Sequence, residues 1–147
     1  MRIIGVGQPA AGDDGVGLVI LEALRARSVP PGVELCVAVE ASSLLSLLET
    51  PAPVLLLDAV VGLAVGEVRV LRPEDLTEGL SPLSSHGINV IDALTLARLL
   101  FAETVSQDIQ IVGIGITRPE GRRYWLSVEI ERAVPEAVEL VLSLLKR

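Results

Sequence analysis

Gly5-Val6-Gly7-Gln8-Pro9-Ala10-Ala11-Gly12-Asp13-Asp14-Gly15 is a glycine-rich turn between an apolar stretch, 2–6, and Val16, Val19, Ile20, Ala23 and Leu24, which recur at helical spacing. Strand, turn and helix are therefore the opening unit. Pro30-Pro31-Gly32 breaks the chain, and 33–39 alternates as a second strand before a short helix over 42–48, which Ser42 or Ser43 can cap. Pro51 and Pro53 introduce a third strand over 54–57. Its unbroken apolar character predicts burial on both faces, as in parallel sheets, and Asp58 ends the run. Residues 67–71 alternate polar and apolar, which suits an edge strand, and 72–85 reads as loop. Val90, Ala93, Leu94, Ala97 and Phe101 predict a helix, 109–116 a buried strand, and 124–130 a further strand. Pro135 fits the first turn of a last helix whose apolar face is Val134, Ala137, Val138, Val141, Leu142 and Leu145. This order predicts an α/β fold: a three-layer α/β/α sandwich around a mostly parallel sheet with an antiparallel edge, one domain over 1–147.

Composition narrows the function classes. Half of the 147 residues are apolar while Phe, Trp and Tyr occur once each, so the core has to be built from Leu, Val, Ile and Ala. A formal net charge of −7, with no local cluster of Lys and Arg, opposes binding to phosphate backbones and anionic lipid. No nucleic-acid partner is expected. Cys36 is alone, which excludes an internal disulfide and a cysteine zinc cluster, and it reads as a small core residue of the second strand. The longest greasy stretch, 53–65, contains Asp58 and Gly62 and is short of a bilayer span, and the N-terminus lacks the apolar region of a signal peptide. The expectation is a cytoplasmic protein without membrane insertion.

Three polar residues stand out against this background. The only histidine, His86, follows the loop-like Leu80-Ser81-Pro82-Leu83-Ser84-Ser85, while Asp14 and Asp58 each stand where a predicted strand runs out. Open α/β sheets place ligands at that edge, and two carboxylates with one imidazole form a divalent-metal set. Each has a plainer reading: Asp13 or Asp14 as a helix cap, Asp58 as a turn former, His86 as a solvated loop residue. Spacing leaves open which of Asp13 and Asp14 faces the site. Gly5, Gly7 and Ala10 also match a dinucleotide fingerprint, with Glu40 where a ribose-binding acid could sit. Against it, Pro9 sits inside the turn, and Asp13 and Asp14 would face a bound pyrophosphate. Ser42, Asp58 and His86 follow the order of a serine hydrolase triad, but Ser42 lacks the G-x-S-x-G elbow.

The longer pattern, Gly5 to Gly17 with Asp58-Ala59-Val60, Ser85-His86-Gly87 and Ile111-Val112-Gly113-Ile114-Gly115-Ile116, resembles the hydrogenase maturation endopeptidases in order and spacing. The resemblance implies a metal-dependent endopeptidase that recognises nickel in a hydrogenase large-subunit precursor and removes its C-terminal extension. It gives Asp14, Asp58 and His86 both the nickel-binding and the catalytic role, the nickel arriving with the substrate. Ligation by two oxygens and one nitrogen also suits zinc as a substitute, and leaves positions open for substrate and water. Two places depart from the family pattern. Gln8 replaces the usual Asn, and Val39-Glu40-Ala41-Ser42-Ser43-Leu44 replaces a glycine-rich turn, which removes access to positive φ there. The alternatives are a divergent, non-proteolytic metal-binding member of the same fold and a dinucleotide-binding module.

Overall fold

The computed structural model describes residues 1–9, 11–77, 79–82, 90–118 and 124–146. Four strands are parallel neighbours: β1 (Arg2–Val6), β2 (Glu34–Ala38), β3 (Val54–Val61) and, last in the chain, β6 (Ile109–Ile116). With β4 (Val68–Leu71) antiparallel on β6, the order is β2-β1-β3-β6-β4, and the two-residue β5 (Ser81–Pro82) pairs antiparallel with the end of β3. The expected antiparallel edge is thus β4.

Helices cover both faces. On one, α1 (Val16–Arg25) and α4 (Val128–Leu145) pack Ile20, Leu24, Ile130 and Ala137 against Leu55, Leu57 and Ala59 of β3. On the other, α2 (Ala41–Leu48) and α3 (Val90–Leu100) pack Leu44, Leu48, Ala93 and Leu94 against Leu56 and Val60. Successive β3 residues serve opposite layers because strand side chains alternate. Such a strand has no solvated face, which is why 54–57 reads as an uninterrupted apolar run.

Several local expectations are corrected. β3 does not end at Asp58 but runs to Val61, because its last residues keep partners in β5 and β6. α2 starts at Ala41, with Glu40 as the residue before it and no side-chain cap, so neither Ser42 nor Ser43 caps it. Cys36 is half-buried rather than core, since β2 is an edge strand. The region expected to be loop, 72–85, contains a 3₁₀ turn, Pro73–Asp75, and β5. No strand forms over 124–130. Residues 124–127 are irregular and α4 begins at Val128, so Pro135 sits inside the helix instead of in its first turn. Proline leaves the carbonyl one turn back without its helical donor, and here both Pro135 and Glu131 lie on the exposed face of the helix.

Candidate active site

The strand order locates the site. From β1 the chain moves outward to β2 through α1, then returns across β1 to β3 through α2, so connections leave β1 and β3 in opposite directions. A crevice opens at such a switch point, beyond the carboxyl ends of the strands. Pairing between β1 and β3 stops at Gly5 and Leu57. Asp58 is therefore the first residue of β3 that has lost its β1 neighbour, and the turn carrying Asp14 begins where β1 ends.

Close backbone packing sets the turn against the sheet. A Cβ on Gly17 would stand 2.2 Å from the Leu57 carbonyl oxygen and 2.6 Å from that of Val6, so only glycine lets the start of α1 sit this low over β1 and β3. A Cβ on Gly7 would stand 2.2 Å from the Asp14 carbonyl oxygen. The glycines of the apparent dinucleotide fingerprint thus serve the turn's own return over the strand. Glu40, the acid that the dinucleotide reading requires, is an exposed residue ahead of α2.

Residues 12–15 form a 3₁₀ turn, Gly12–Gly15, which separates two adjacent carboxylates. Neither Asp13 nor Asp14 caps it or α1. Asp13 reaches across the fold, accepting hydrogen bonds from the Ser127 N–H at 2.7 Å and the Ser127 hydroxyl at 2.8 Å, and so braces the start of α4. Asp14 turns inward, 2 % exposed, and its Oδ2 accepts from the Gln8 N–H at 3.1 Å. Burial pushes the Asp14 carboxyl up to about 6, an effect that the Gln8 N–H partly offsets.

Asp58 is 1 % exposed. Its Oδ1 accepts from the Ala59 N–H at 2.8 Å, whereas its Oδ2 is buried without a hydrogen-bond partner among the described residues. Burial first, and then the neighbouring charge of Asp14, hold the Asp58 carboxyl well above the usual carboxylate range. An unsatisfied buried carboxylate oxygen costs about 1–3 kcal/mol or more, and a second carboxylate beside it adds repulsion. Such a pair is at ease with a shared proton or with a cation.

The structure therefore brings Asp14 and Asp58 together. His86 falls in 83–89, outside the described residues, and among the described residues no three His, Cys, Asp or Glu side chains gather into a metal-binding group. Ser42 lies exposed on α2. Sequence reasoning missed two contacts. One is the Asp13–Ser127 brace, whose partners are 114 residues apart. The other is the Gln8 side chain, whose Nε2 donates to the Val39 carbonyl at 2.6 Å. That bond ties the acid-bearing turn to the segment after β2, so the two places where the chain departs from the family pattern touch each other.

Known proteins resemble this chain over most of its length. The family model HycI, hydrogenase maturation protease, matches residues 20–144. Protein FrxA of Pyrococcus furiosus is 30% identical over 137 residues, 92% of this chain and 97% of that protein. The hydrogenase maturating endopeptidase HybD from E. coli superposes with a TM-score of 0.79 at 26% identity, covering 99% of this chain and 91% of that one. The [NiFe] hydrogenase maturation protease HybD from Thermococcus kodakarensis shares the fold, with a TM-score of 0.74 at 24% identity and 97% of each chain covered. These likenesses, over a fold that brings an inward carboxylate pair to its strand switch, place the chain in the hydrogenase maturation protease family, a family of peptidases.

Proposed function

We propose that this maturation endopeptidase recognises nickel already seated in a hydrogenase large-subunit precursor and cleaves off the precursor's C-terminal extension. The observation that carries the reading is the buried, unpartnered Oδ2 of Asp58 beside the inward-facing Asp14. A fold retains two adjacent buried carboxylates, against desolvation and mutual repulsion, where a positive charge is delivered to them. His86, at the head of the segment that leads into α3, is proposed as the third ligand and completes an O,O,N set suited to nickel or zinc.

In this reading the nickel is part of the substrate, and the chain's own residues grip and orient it. When bound, a divalent ion polarises the scissile carbonyl and lowers the pKa of water, so that no nucleophilic side chain is required. Asp14 is held in place by the Gln8 N–H, and Asp58 by the Ala59 N–H and by the pairing of β3 with β6, where Asp58 lies opposite Gly113. Rigid main-chain support of this kind fixes ligand direction before the substrate arrives. Before the ion arrives, burial favours the protonated form of both carboxyls, and gripping the ion releases those protons to water.

The test incubates the protein with the nickel-loaded large-subunit precursor of its source organism and follows the precursor's mass. The expected result is loss of a C-terminal fragment with wild type, and none with Asp58→Asn or His86→Ala. An unchanged precursor mass with wild type defeats the proteolytic reading. If wild type and His86→Ala cut equally, His86 is removed from the site.

A further inference from the structure

Tyr124 and Trp125 are the only tyrosine and tryptophan of the chain, and they stand 72% and 69% exposed. With Leu126 they form one wall of a cleft of about 290 Å³. The opposite wall is the Gly12–Gly15 turn with Leu18 and Val19 on the outward face of α1. Large aromatic surfaces left in water are costly, and adjacent aromatic side chains over an apolar cleft are the usual anchors of protein recognition. The cleft is fixed in place: the two hydrogen bonds from Ser127 to Asp13 fasten the aromatic segment to the same turn that points Asp14 toward Asp58.

Charge and position select the occupant. Glu22 is the one charged side chain among the described residues of the lining, and none of those residues supplies a cation to hold a phosphate or a carboxylate. A second copy of this chain would bring another net charge of −7, which opposes self-association. Continuity with the carboxylate pair favours a polypeptide. A substrate gripped at Asp14 and Asp58 brings its own surface against the Gly12–Gly15 turn, and the cleft is that turn's other side. We infer that the cleft between α1 and 124–126 docks an apolar side chain of the polypeptide substrate, at a distance from the scissile bond, with Trp125 and Tyr124 as anchors. This inference rests on the proteolytic reading above for the identity of the polypeptide.

The experiment uses the full chain labelled with fluorotryptophan, which gives a single fluorine resonance from Trp125, together with steady-state cleavage of the large-subunit precursor of the source organism. On addition of precursor to the Asp58→Asn protein, the Trp125 resonance is expected to shift. In the otherwise wild-type chain, Trp125→Ala is expected to raise KM roughly tenfold with kcat little changed, and Trp125→Phe, which keeps an aromatic face, to restore most of the loss. Cleavage with KM within about twofold of wild type in Trp125→Ala, or an unshifted resonance in a bound complex, overturns the docking proposal and leaves proteolysis standing. A resonance that shifts with protein concentration alone, with a dimeric mass, assigns the cleft to a second copy and also overturns it. A precursor that shifts Trp125 yet is never cut by wild type supports docking and overturns proteolysis instead.

Discussion

Asp13 and Asp14 are neighbours in one 3₁₀ turn, yet they occupy opposite electrostatic worlds. Asp13 faces α4 and is saturated by the Ser127 N–H and hydroxyl, so its charge is spent on holding the fold. Asp14 faces β3, where it meets Asp58, and the one free oxygen of Asp58 finds no donor among the described residues. One side of the turn is complete without a ligand and the other is not. Chemistry belongs on the incomplete side, because a folded chain ordinarily satisfies its buried polar atoms.

The largest contrast is expected from Asp58→Asn. Removing one carboxylate charge eliminates the repulsion, so thermal stability holds or rises, while cleavage of the precursor falls by roughly a thousandfold or more. A variant that loses stability and activity together would make Asp58 a structural residue. Gly17→Ala probes both sides at once, since its Cβ would press on the carbonyl oxygens of Leu57 and Val6. Denaturant titration is expected to show a loss of about 3 kcal/mol or more. Asp13→Ala should be milder, costing about 1–3 kcal/mol through the Ser127 N–H it leaves without a partner. Its kcat is expected to stay nearer to wild type than that of Asp58→Asn.

The most gradual contrast is a pH dependence with an unusual sign. Asp14 binds its proton more tightly in the folded chain, up to about 6, than in the unfolded one. Its contribution to stability is complete below the ordinary carboxylate pKa near 3.8 and is lost as pH rises through about 6. In chelator, wild type minus Asp14→Asn should therefore lose stability between those limits, by at most about 1.4 kcal/mol per pH unit. Asp58, raised by burial and by Asp14, adds in the same direction. Stability that grew with pH over this interval would contradict the burial of an unpaired Asp14 carboxyl.

The frame of the fold was legible in the sequence because its signals are periodic. Residues 54–57 are apolar without interruption and 109–116 are apolar apart from Gln110, and both became central parallel strands. Residues 67–71 alternate, and 68–71 became the antiparallel edge. The errors fell where tertiary contacts decide. Asp58 looked like a strand end because polarity usually marks one, but β5 and β6 extend the pairing past it and bury the carboxylate within β3. The stretch 124–130 looked like a strand because Tyr124, Trp125, Leu126, Val128 and Ile130 are apolar and closely spaced. Asp13 instead fixes Ser127 as the residue before a helix, and Leu126, Ile130 and Ala133 turn inward at helical spacing. That Asp14 rather than Asp13 turns toward Asp58 was implied by the family resemblance and not by spacing, and the fate of Asp13 was not legible because its partner lies 114 residues away.

The central claim is that the inward carboxylate pair is kept for a cation. Calorimetric titration of Ni²⁺ into wild type, Asp13→Asn and Asp58→Asn tests it most directly. Wild type and Asp13→Asn are expected to bind alike, with release of protons as the carboxyls ionise, and Asp58→Asn to bind at least roughly tenfold more weakly. Equal affinity in Asp58→Asn and wild type would contradict the claim.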